Sequence, residues 1–327
     1  MCIRDSCWSG QRSVPAVRDQ VSAALAQAQH VGWDGLLAEQ RVYLDDYWDR
    51  SDVEVDGDAE LQQAARFALF HVLQAGARAE RRAIAAKGLT GSGYDGHAFW
   101  DTETFVLPVL TYTTPQAAAD ALGWRRDTLE LARERAKQLG FAGSAFPWRT
   151  IRGEECGGYW PAGTAACHIN ADIADAVLRY QSAAGTDAVP FERDIGVELL
   201  VETARFWRSL GHHDAVGNFR IDGVTGPDEY SALADNNVFT NLMAQRNLRA
   251  AVDAIERHPE RGAELNVDVE ETASWRDAAR AMLVPYDSDL GIHPQAEGFS
   301  QHQTWDFEST EPDQYPLLCL LYTSRCV

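Results

Sequence analysis

The chain of 327 residues is 45% apolar and 24% charged, which is enough material for a large hydrophobic core in one big domain or two smaller ones. Its formal net charge of −20 and the absence of any Lys/Arg-rich run argue against nucleic acid as a partner, because a phosphate backbone would repel it. No stretch approaches the roughly 20 uninterrupted apolar residues of a membrane helix, so we expect no membrane-spanning segment.

Both ends of the chain differ from the sequence between them. Residues 1–6 and 319–327 match a translated transposon mosaic end, and we expect them to be adapter-derived tails; the alternative is a native start and an apolar C-terminal strand. The three cysteines outside these tails form neither a CxxC pair nor a zinc-ligand pattern. Sparse thiols and no visible secretory signal predict a cytoplasmic location.

Apolar residues three and four positions apart recur along most of the chain, which is typical of amphipathic helices. Thr114-Pro115 and Asn236 are the predicted start signals of two of them. We therefore predict an all-α protein. The predicted helices cover residues 16–29, 34–49, 59–84, 114–139, 168–184, 190–210, 237–258 and 270–283.

Long loops rich in Gly, Trp, Pro and acidic residues separate these helices. They cover residues 87–101, 140–163, 211–236 and 286–314. Loops of this length inside a helical domain are usually functional. The helices show neither heptads nor a repeat, which argues against a coiled coil or a solenoid. A toroid of paired helices with its site on one loop-bearing face is one natural architecture among those that remain.

The first loop ends in an aromatic and acidic cluster, GLTGSGYDGHAFWDTE at 88–103. Trp100 offers a flat face to a sugar ring, and the Asp101 carboxylate can accept hydrogen bonds from two sugar hydroxyls. A dinucleotide loop does not fit, since no parallel-sheet strand precedes the glycines. We predict a sugar pocket here, with Tyr94, His97, Trp100 and Asp101 as substrate-binding residues.

The second loop also interleaves aromatic, acidic and small residues before it leads into a helix. Trp148, Glu155 and Trp160 are its predicted substrate-binding residues. His168, on the helix that follows, is interpreted as a structural histidine.

The third loop presents an acid pair in a rigid turn, GPDEY at 226–230. Asp228 can raise the pKa of Glu229, and cleavage of a glycosidic bond needs such a protonated carboxyl group to discharge the leaving oxygen. A solvated surface turn is the simpler alternative for this segment alone. Two possible metal sites are rejected: the calcium-like segment 52–57 lacks the final bidentate Glu, and the segment 212–214 lacks a second ligand pair. No metal site is expected.

Taken together, these motifs resemble glycoside hydrolase family 65 over about residues 16–318. Four segments carry the resemblance: 88–103, YWPAGT at 159–164, ETARFW at 202–207 and GPDEY at 226–230. The family contains phosphorylases of trehalose, kojibiose, maltose and nigerose, with some hydrolases. The resemblance implies an incomplete (α/α)6 toroid over 59–318, with about seven of twelve barrel helices, after a helical linker at 7–58.

The resemblance also implies a chemistry. By position, Glu229 resembles the general acid, and Trp100, Asp101 and Trp160 resemble residues of the glucose subsite. Inorganic phosphate would be the co-substrate, attacking the anomeric carbon from the opposite face to give β-glucose 1-phosphate without a cofactor. The partners implied are an α-linked glucose disaccharide, with trehalose or kojibiose favoured, and a second copy in a homodimer.

Several family features are missing from this sequence. Members carry an N-terminal β-sandwich domain and continue after Tyr-Pro-Leu-Leu, here 315–318, into a Lys-Gln motif and a phosphate-binding loop. We therefore predict no phosphate-binding residue in this chain, and we expect the 327-residue polypeptide to be inactive and poorly soluble. The open alternatives are an inverting α-glucosidase of the trehalase type on the same fold and a non-catalytic carbohydrate-binding protein.

Overall fold

The computed structural model describes residues 13–77, 81–88, 91–158, 162–228, 231–302 and 306–311. The chain divides into two compact units, Met1–Ala68 and Leu69–Val327. None of the helices in the described ranges is long and apolar enough to cross a membrane.

The first unit is dominated by one long helix, α1 (Val14–Ser51), which bends at Gly32, where φ is +71°. The two helices predicted at 16–29 and 34–49 are therefore the halves of one kinked element. Helix α2 (Ala59–Ala77) follows after a short turn, across which Arg66 Nε donates to Asp52 Oδ1 at 2.8 Å. The Asp52 carboxylate of the rejected calcium-like segment is thus paired with a guanidinium group, which lowers its pKa.

Helix α2 ends earlier than the predicted residue 84. Residues 78–80 lie outside the described ranges, and Arg81 has a φ of +60°, which a right-handed helix cannot include. The remaining elements are α3 (Leu107–Thr113, entered through a π-helical turn Thr102–Val106), α4 (Pro115–Asp127), α5 (Leu129–Gln138), α6 (Ala162–Ala165), α7 (Ile169–Ala184), α8 (Val189–Phe191), α9 (Val197–Leu210), β1 (His212–His213), β2 (Phe219–Arg220), α10 (Val238–Arg257), α11 (Pro259–Glu264) and α12 (Val269–Ala281).

The second unit is built from helix pairs in two layers. Helices α3, α7 and α10 lie side by side, and each packs against the partner that follows it: α4, α9 and α12, respectively. The core between the layers contains fully buried Leu110, Ile173, Trp207 and Trp275. This paired arrangement confirms the predicted all-α, incomplete (α/α)6 toroid with long loops.

The helical segment 102–113 was not predicted. It contains six β-branched residues and a proline, all of which disfavour helix in isolation. Burial of Leu107 and Leu110 against α4 and α7 outweighs that local preference. The predicted helix 114–139 is instead two helices, since α4 ends and α5 begins around Thr128.

The predicted start at Pro115 is correct, because this residue opens α4. The start of α10 lies one residue later than predicted. Asn237 is its N-cap, and its side-chain oxygen accepts from Thr240 N at 3.0 Å. Asn236 is buried with a φ of +49° and holds the preceding loop.

Candidate functional site

Three helices begin at one place, and an aromatic ring marks each start. Trp100 precedes the π-helical turn of α3, His168 precedes α7, and Phe239 is the second residue of α10. The Trp100 ring lies 4.9 Å from His168 and 6.3 Å from Phe239, and His168 lies 5.8 Å from Phe239, all measured between centroids. We call these three residues the ring cluster. Their edge-to-face contacts fix the orientation of the half-buried Trp100 indole.

The ring cluster is supported from inside by a hydrogen bond within α7. His168 Nδ1 lies 2.7 Å from Asp172 Oδ2, one helical turn away, and both residues are about 1% exposed. A buried carboxylate is costly, and burial raises the pKa of Asp172, although the hydrogen bond from His168 opposes this shift. These contacts agree with the interpretation of His168 as a structural histidine. Its ring also packs against the indole of Trp100.

The first and second loops are joined by a short backbone ladder. Ala98 N donates to Thr150 O at 2.7 Å, and Thr150 N returns a hydrogen bond to Ala98 O at 3.1 Å. Next to it, the Phe99 ring lies 5.2 Å from Tyr94 and 5.3 Å from Trp148. Two predicted substrate-binding aromatics from different loops are thus brought together through Phe99.

His97 lies at the edge of this aromatic group. Its Nδ1 is 2.7 Å from the Tyr94 carbonyl oxygen. Arg149 Nη2 lies 3.3 Å from the same nitrogen. These two contacts hold the imidazole ring in place, and its Nε2 is left for a ligand hydroxyl.

The acidic residues of the first motif have opposite environments. Asp101 is exposed, and its carboxylate has no hydrogen-bond partner in the described part of the chain. Glu103, two residues later, is 2% exposed and forms a two-point ion pair with the buried Arg125. Asp101 is therefore available to a ligand, whereas Glu103 holds α3 to α4.

The second loop is organised around Glu155. Its carboxylate accepts from the backbone N–H groups of Trp148 (2.6 Å), Arg149 (3.2 Å) and Gly157 (2.7 Å), and it lies 3.3 Å from Arg135 Nη2. With four protein partners, this side chain shapes the loop. Its direct contact with substrate stays a prediction.

The third loop, which we call the acid loop (Phe219–Ala234), is tied to the α6 segment. Thr225 N donates to Ala165 O at 2.9 Å. Val224 and Ala234 exchange two backbone hydrogen bonds, at 3.0 and 2.8 Å, and close the base of the turn that contains the acid pair. At Gly226, any Cβ would lie 2.4 Å from the Asn237 side chain, so only glycine permits this approach. The chain is therefore held in place on both sides of the acid pair, at residues 224–226 and at Ala234.

Two predicted residues, Glu229 and Trp160, lie outside the described residues. Asp228, which directly precedes Glu229, is half-buried, and its Oδ2 accepts from Gln295 Nε2 at 2.6 Å. The roles assigned to Glu229 and Trp160 stay predictions.

Sequence reasoning missed Phe239 and Gln295. Phe239 could have been found from its position, because, like Trp100 and His168, it lies where a loop leads into a helix. Gln295 has no comparable signal, since it contacts Asp228 across 67 residues of sequence. In the described part of the chain, the site thus combines an indole held by two other rings, a carboxylate without a protein partner and a loop that is fixed on either side of the acid pair, and the first two are groups that can bind a sugar.

The chain is similar in sequence to known proteins over most of its length. The model of the glycosyl hydrolase family 65 central catalytic domain matches residues 66–325. An uncharacterized glycosyl hydrolase of Mycobacterium tuberculosis H37Rv is 62% identical over 311 residues, covering 95% of this chain and 39% of the relative. An α,α-trehalose phosphorylase of Geobacillus stearothermophilus is 47% identical over 295 residues, covering 88% of this chain and 38% of the relative.

The chain is also similar to a solved structure. The chain superposes on a "Putative kojibiose phosphorylase from human microbiome" with a TM-score of 0.84 at 29% identity, over 94% of this chain and 42% of that one. The chain therefore spans well under half the length of each of these similar proteins.

Proposed function

Because the chain belongs to glycosyl hydrolase family 65, we propose that the whole protein is an inverting α-glucoside phosphorylase, with trehalose or kojibiose as its disaccharide. The observation that carries this proposal is the 47% identity to a trehalose phosphorylase over 88% of the chain. The ring cluster and the Asp101 carboxylate support the sugar-binding part of such a reaction, and the fixed loop around Asp228 supports the position of the acid; the phosphate-binding part is proposed to lie in the rest of the protein.

The proposed reaction uses one protein carboxyl group. Glu229 donates its proton to the glycosidic oxygen while the bond from that oxygen to the anomeric carbon breaks. Phosphate forms the new bond from the opposite face, so the products are β-glucose 1-phosphate and glucose. Phosphate is already a nucleophile, so no catalytic base, cofactor or metal enters the scheme.

The sugar is held by residues of the first two loops. Trp100 stacks on the glucose ring, Asp101 accepts hydrogen bonds from its hydroxyl groups, and His97 Nε2 forms a hydrogen bond with one more hydroxyl group. Tyr94 and Trp148 offer further aromatic faces, and Trp160 is assigned to the same sugar subsite. Glu155 fixes the conformation of the second loop. Trehalose and kojibiose are the proposed substrates, and this is supported by 47% identity to a trehalose phosphorylase and 32% identity to a kojibiose phosphorylase of Halothermothrix orenii.

The test is phosphate-dependent glucose release by the full-length protein from trehalose and kojibiose, with the anomer of glucose 1-phosphate identified by NMR. Glu229→Gln should lower kcat by about 100- to 10,000-fold. Glu308→Gln, the same change at an exposed position, is the control. Glucose release without phosphate would favour the α-glucosidase alternative, and sugar binding without turnover would favour the non-catalytic one.

We also propose that the 327-residue polypeptide alone does not catalyse the reaction. Support comes from its coverage of 38–39% of the relatives and from exposed Phe105, Tyr112 and Leu242 on the layer of α3, α7 and α10. The full-length protein is proposed to be a cytoplasmic homodimer, which light scattering and cell fractionation would check. Turnover by the short polypeptide at ordinary enzyme rates would contradict the first of these statements.

A further inference from the structure

A short segment after α12 holds the acid loop at several points. We call it the clasp (residues 295–297). Gln295 Nε2 donates to Asp228 Oδ2 at 2.6 Å, next to the proposed acid. Glu297 N donates to Asp235 O at 3.0 Å, just beyond the end of the loop. Ala296, between them, is buried. The clasp thus contacts the acid turn and the chain that leaves the loop.

The carboxylate of Glu297 reaches the other strand of the loop. Its Oε2 accepts from Arg220 Nη2 at 2.6 Å and from Asn236 Nδ2 at 2.8 Å. These hydrogen bonds lower the pKa of Glu297, so the carboxylate is charged over the neutral range. Glu297 therefore binds both Arg220, near the start of the acid loop, and Asn236, two residues beyond its end.

The opposite side of Gln295 is fixed to the start of α10. Its backbone oxygen accepts from Val238 N at 3.0 Å and from Asn237 Nδ2 at 3.3 Å. The next residue of α10 is Phe239, a member of the ring cluster. The side chain of Gln295 therefore binds the acid turn, and its backbone binds the start of α10, which carries a ring that contacts Trp100.

We propose that Gln295 is a positioning residue for the general acid. Its amide group holds the Asp228 carboxylate and so fixes the backbone that enters Glu229 relative to the ring cluster. This inference rests on the proposed function, in which Glu229 protonates the leaving oxygen. A hydrogen bond from an amide to a carboxylate is stronger than one between two neutral groups. Because proton transfer depends on precise geometry, even a small displacement of the proton donor slows cleavage of the glycosidic bond.

A positioning role makes a prediction that a merely structural role does not. Protonation matters for a sugar leaving group, but fluoride departs from α-glucosyl fluoride with little help from an acid. Gln295→Ala should therefore lower kcat for the disaccharide about 10- to 100-fold, leave KM within about twofold, and leave turnover of α-glucosyl fluoride with phosphate within about twofold.

Two variants complete the test in the full-length protein. Gln295→Glu keeps the shape of the side chain but places a carboxylate against Asp228, so the disaccharide loss should equal or exceed that of Gln295→Ala while fluoride turnover is kept. Gln301→Ala, the same substitution six positions along at an exposed glutamine, should change neither substrate.

Equal losses on the disaccharide and the fluoride, a loss confined to KM, or no loss in either Gln295 variant would overturn the inference. Failure of the proposed function has a separate signature, which is Glu229→Gln retaining disaccharide cleavage or the unmodified protein releasing glucose without phosphate. In the hydrolytic case an acid is still required, so the difference between the two leaving groups still decides the role of Gln295.

Discussion

The buried ion pair between Glu103 and Arg125 offers a stability test with a magnitude set by the structure. Arg125 Nε and Nη2 donate to the two Glu103 oxygens at 2.7 and 2.9 Å, and each side chain is at most 2% exposed. The guanidinium also lies 4.8 Å from the Trp124 ring, and its Nη1 has no hydrogen-bond partner among the residues that the structure describes. Such a pair stabilises little relative to apolar packing, but neither member can be removed alone without leaving a buried charge.

Arg125→Met keeps much of the packing and leaves Glu103 unpaired, so the free energy of unfolding should fall by about 3–5 kcal/mol. Glu103→Leu should cost a similar amount because it strands Arg125. The double variant buries no charge, and its stability should return to within about 2 kcal/mol of the original protein. The coupling free energy between the two positions should then be at least about 4 kcal/mol.

Urea unfolding of the full-length protein and its variants, followed by tryptophan fluorescence and far-UV circular dichroism, would measure these free energies of unfolding. Arg193→Met is the matched control, because Arg193 makes a two-point pair with Asp194 that is more than half exposed and should contribute at most about 1 kcal/mol. If Arg125→Met costs no more than this control, or if the two single losses simply add in the double variant, the reasoning about burial is refuted.

Three further predictions concern single positions. Gly143→Ala should lower stability by at least about 1–3 kcal/mol in thermal unfolding, because φ is +69° and a Cβ would lie 2.2 Å from a backbone oxygen of α9; an unchanged midpoint would contradict this. Burial raises the pKa of the Cys167 thiol to about 12, so iodoacetamide at pH 8 should label the exposed Cys156 and spare Cys167 until the chain unfolds, as peptide mass spectrometry would show. His168→Ala should raise KM for the disaccharide more than it lowers kcat, because Trp100 loses the ring on which it rests; a change in kcat alone would argue against this support.

Much of the helical fold could be predicted because one-sided burial leaves a regular trace in sequence. Helix α7 spans 169–184 against a prediction of 168–184, and α10 spans 238–257 against 237–258. The segment 102–113 leaves no such trace, since its β-branched residues disfavour helix and only contacts with α4 and α7 outweigh them. In this segment the local sequence preference disfavours a helix, and burial against neighbouring helices stabilises one.

The candidate site was predictable in part for a related reason. Tyr94, Trp100 and Trp148 stand out in sequence because they lie in loops where a core explanation is weak. Gln295 does not stand out, because its importance depends on a contact 67 residues away. A glutamine is a common surface residue, so nothing in the sequence near position 295 indicates that it contacts the acid turn.

The pair Asp101 and Glu103 shows why residue type alone does not assign a role. Both are acids in one motif, two positions apart at the start of a π-helical turn, so they project in different directions from the same backbone. One meets solvent beside the indole of Trp100, and the other meets Arg125 in the interior. The two residues look equivalent in the sequence. Their contacts make Asp101 a candidate sugar-binding residue and Glu103 a residue that stabilises the fold.

Charge is distributed along the acid loop in a way that suits a proton donor. Between residues 219 and 236, Arg220 is the single Lys or Arg. Its guanidinium is bound by Asp222 and Glu297 at the base of the loop, so its charge is neutralised where it stands. Asp228 is the charged residue adjacent to Glu229 in the chain, and a neighbouring negative charge favours retention of a proton. The clasp therefore serves the proposed chemistry twice, since it neutralises the cation through Glu297 and fixes Asp228 through Gln295.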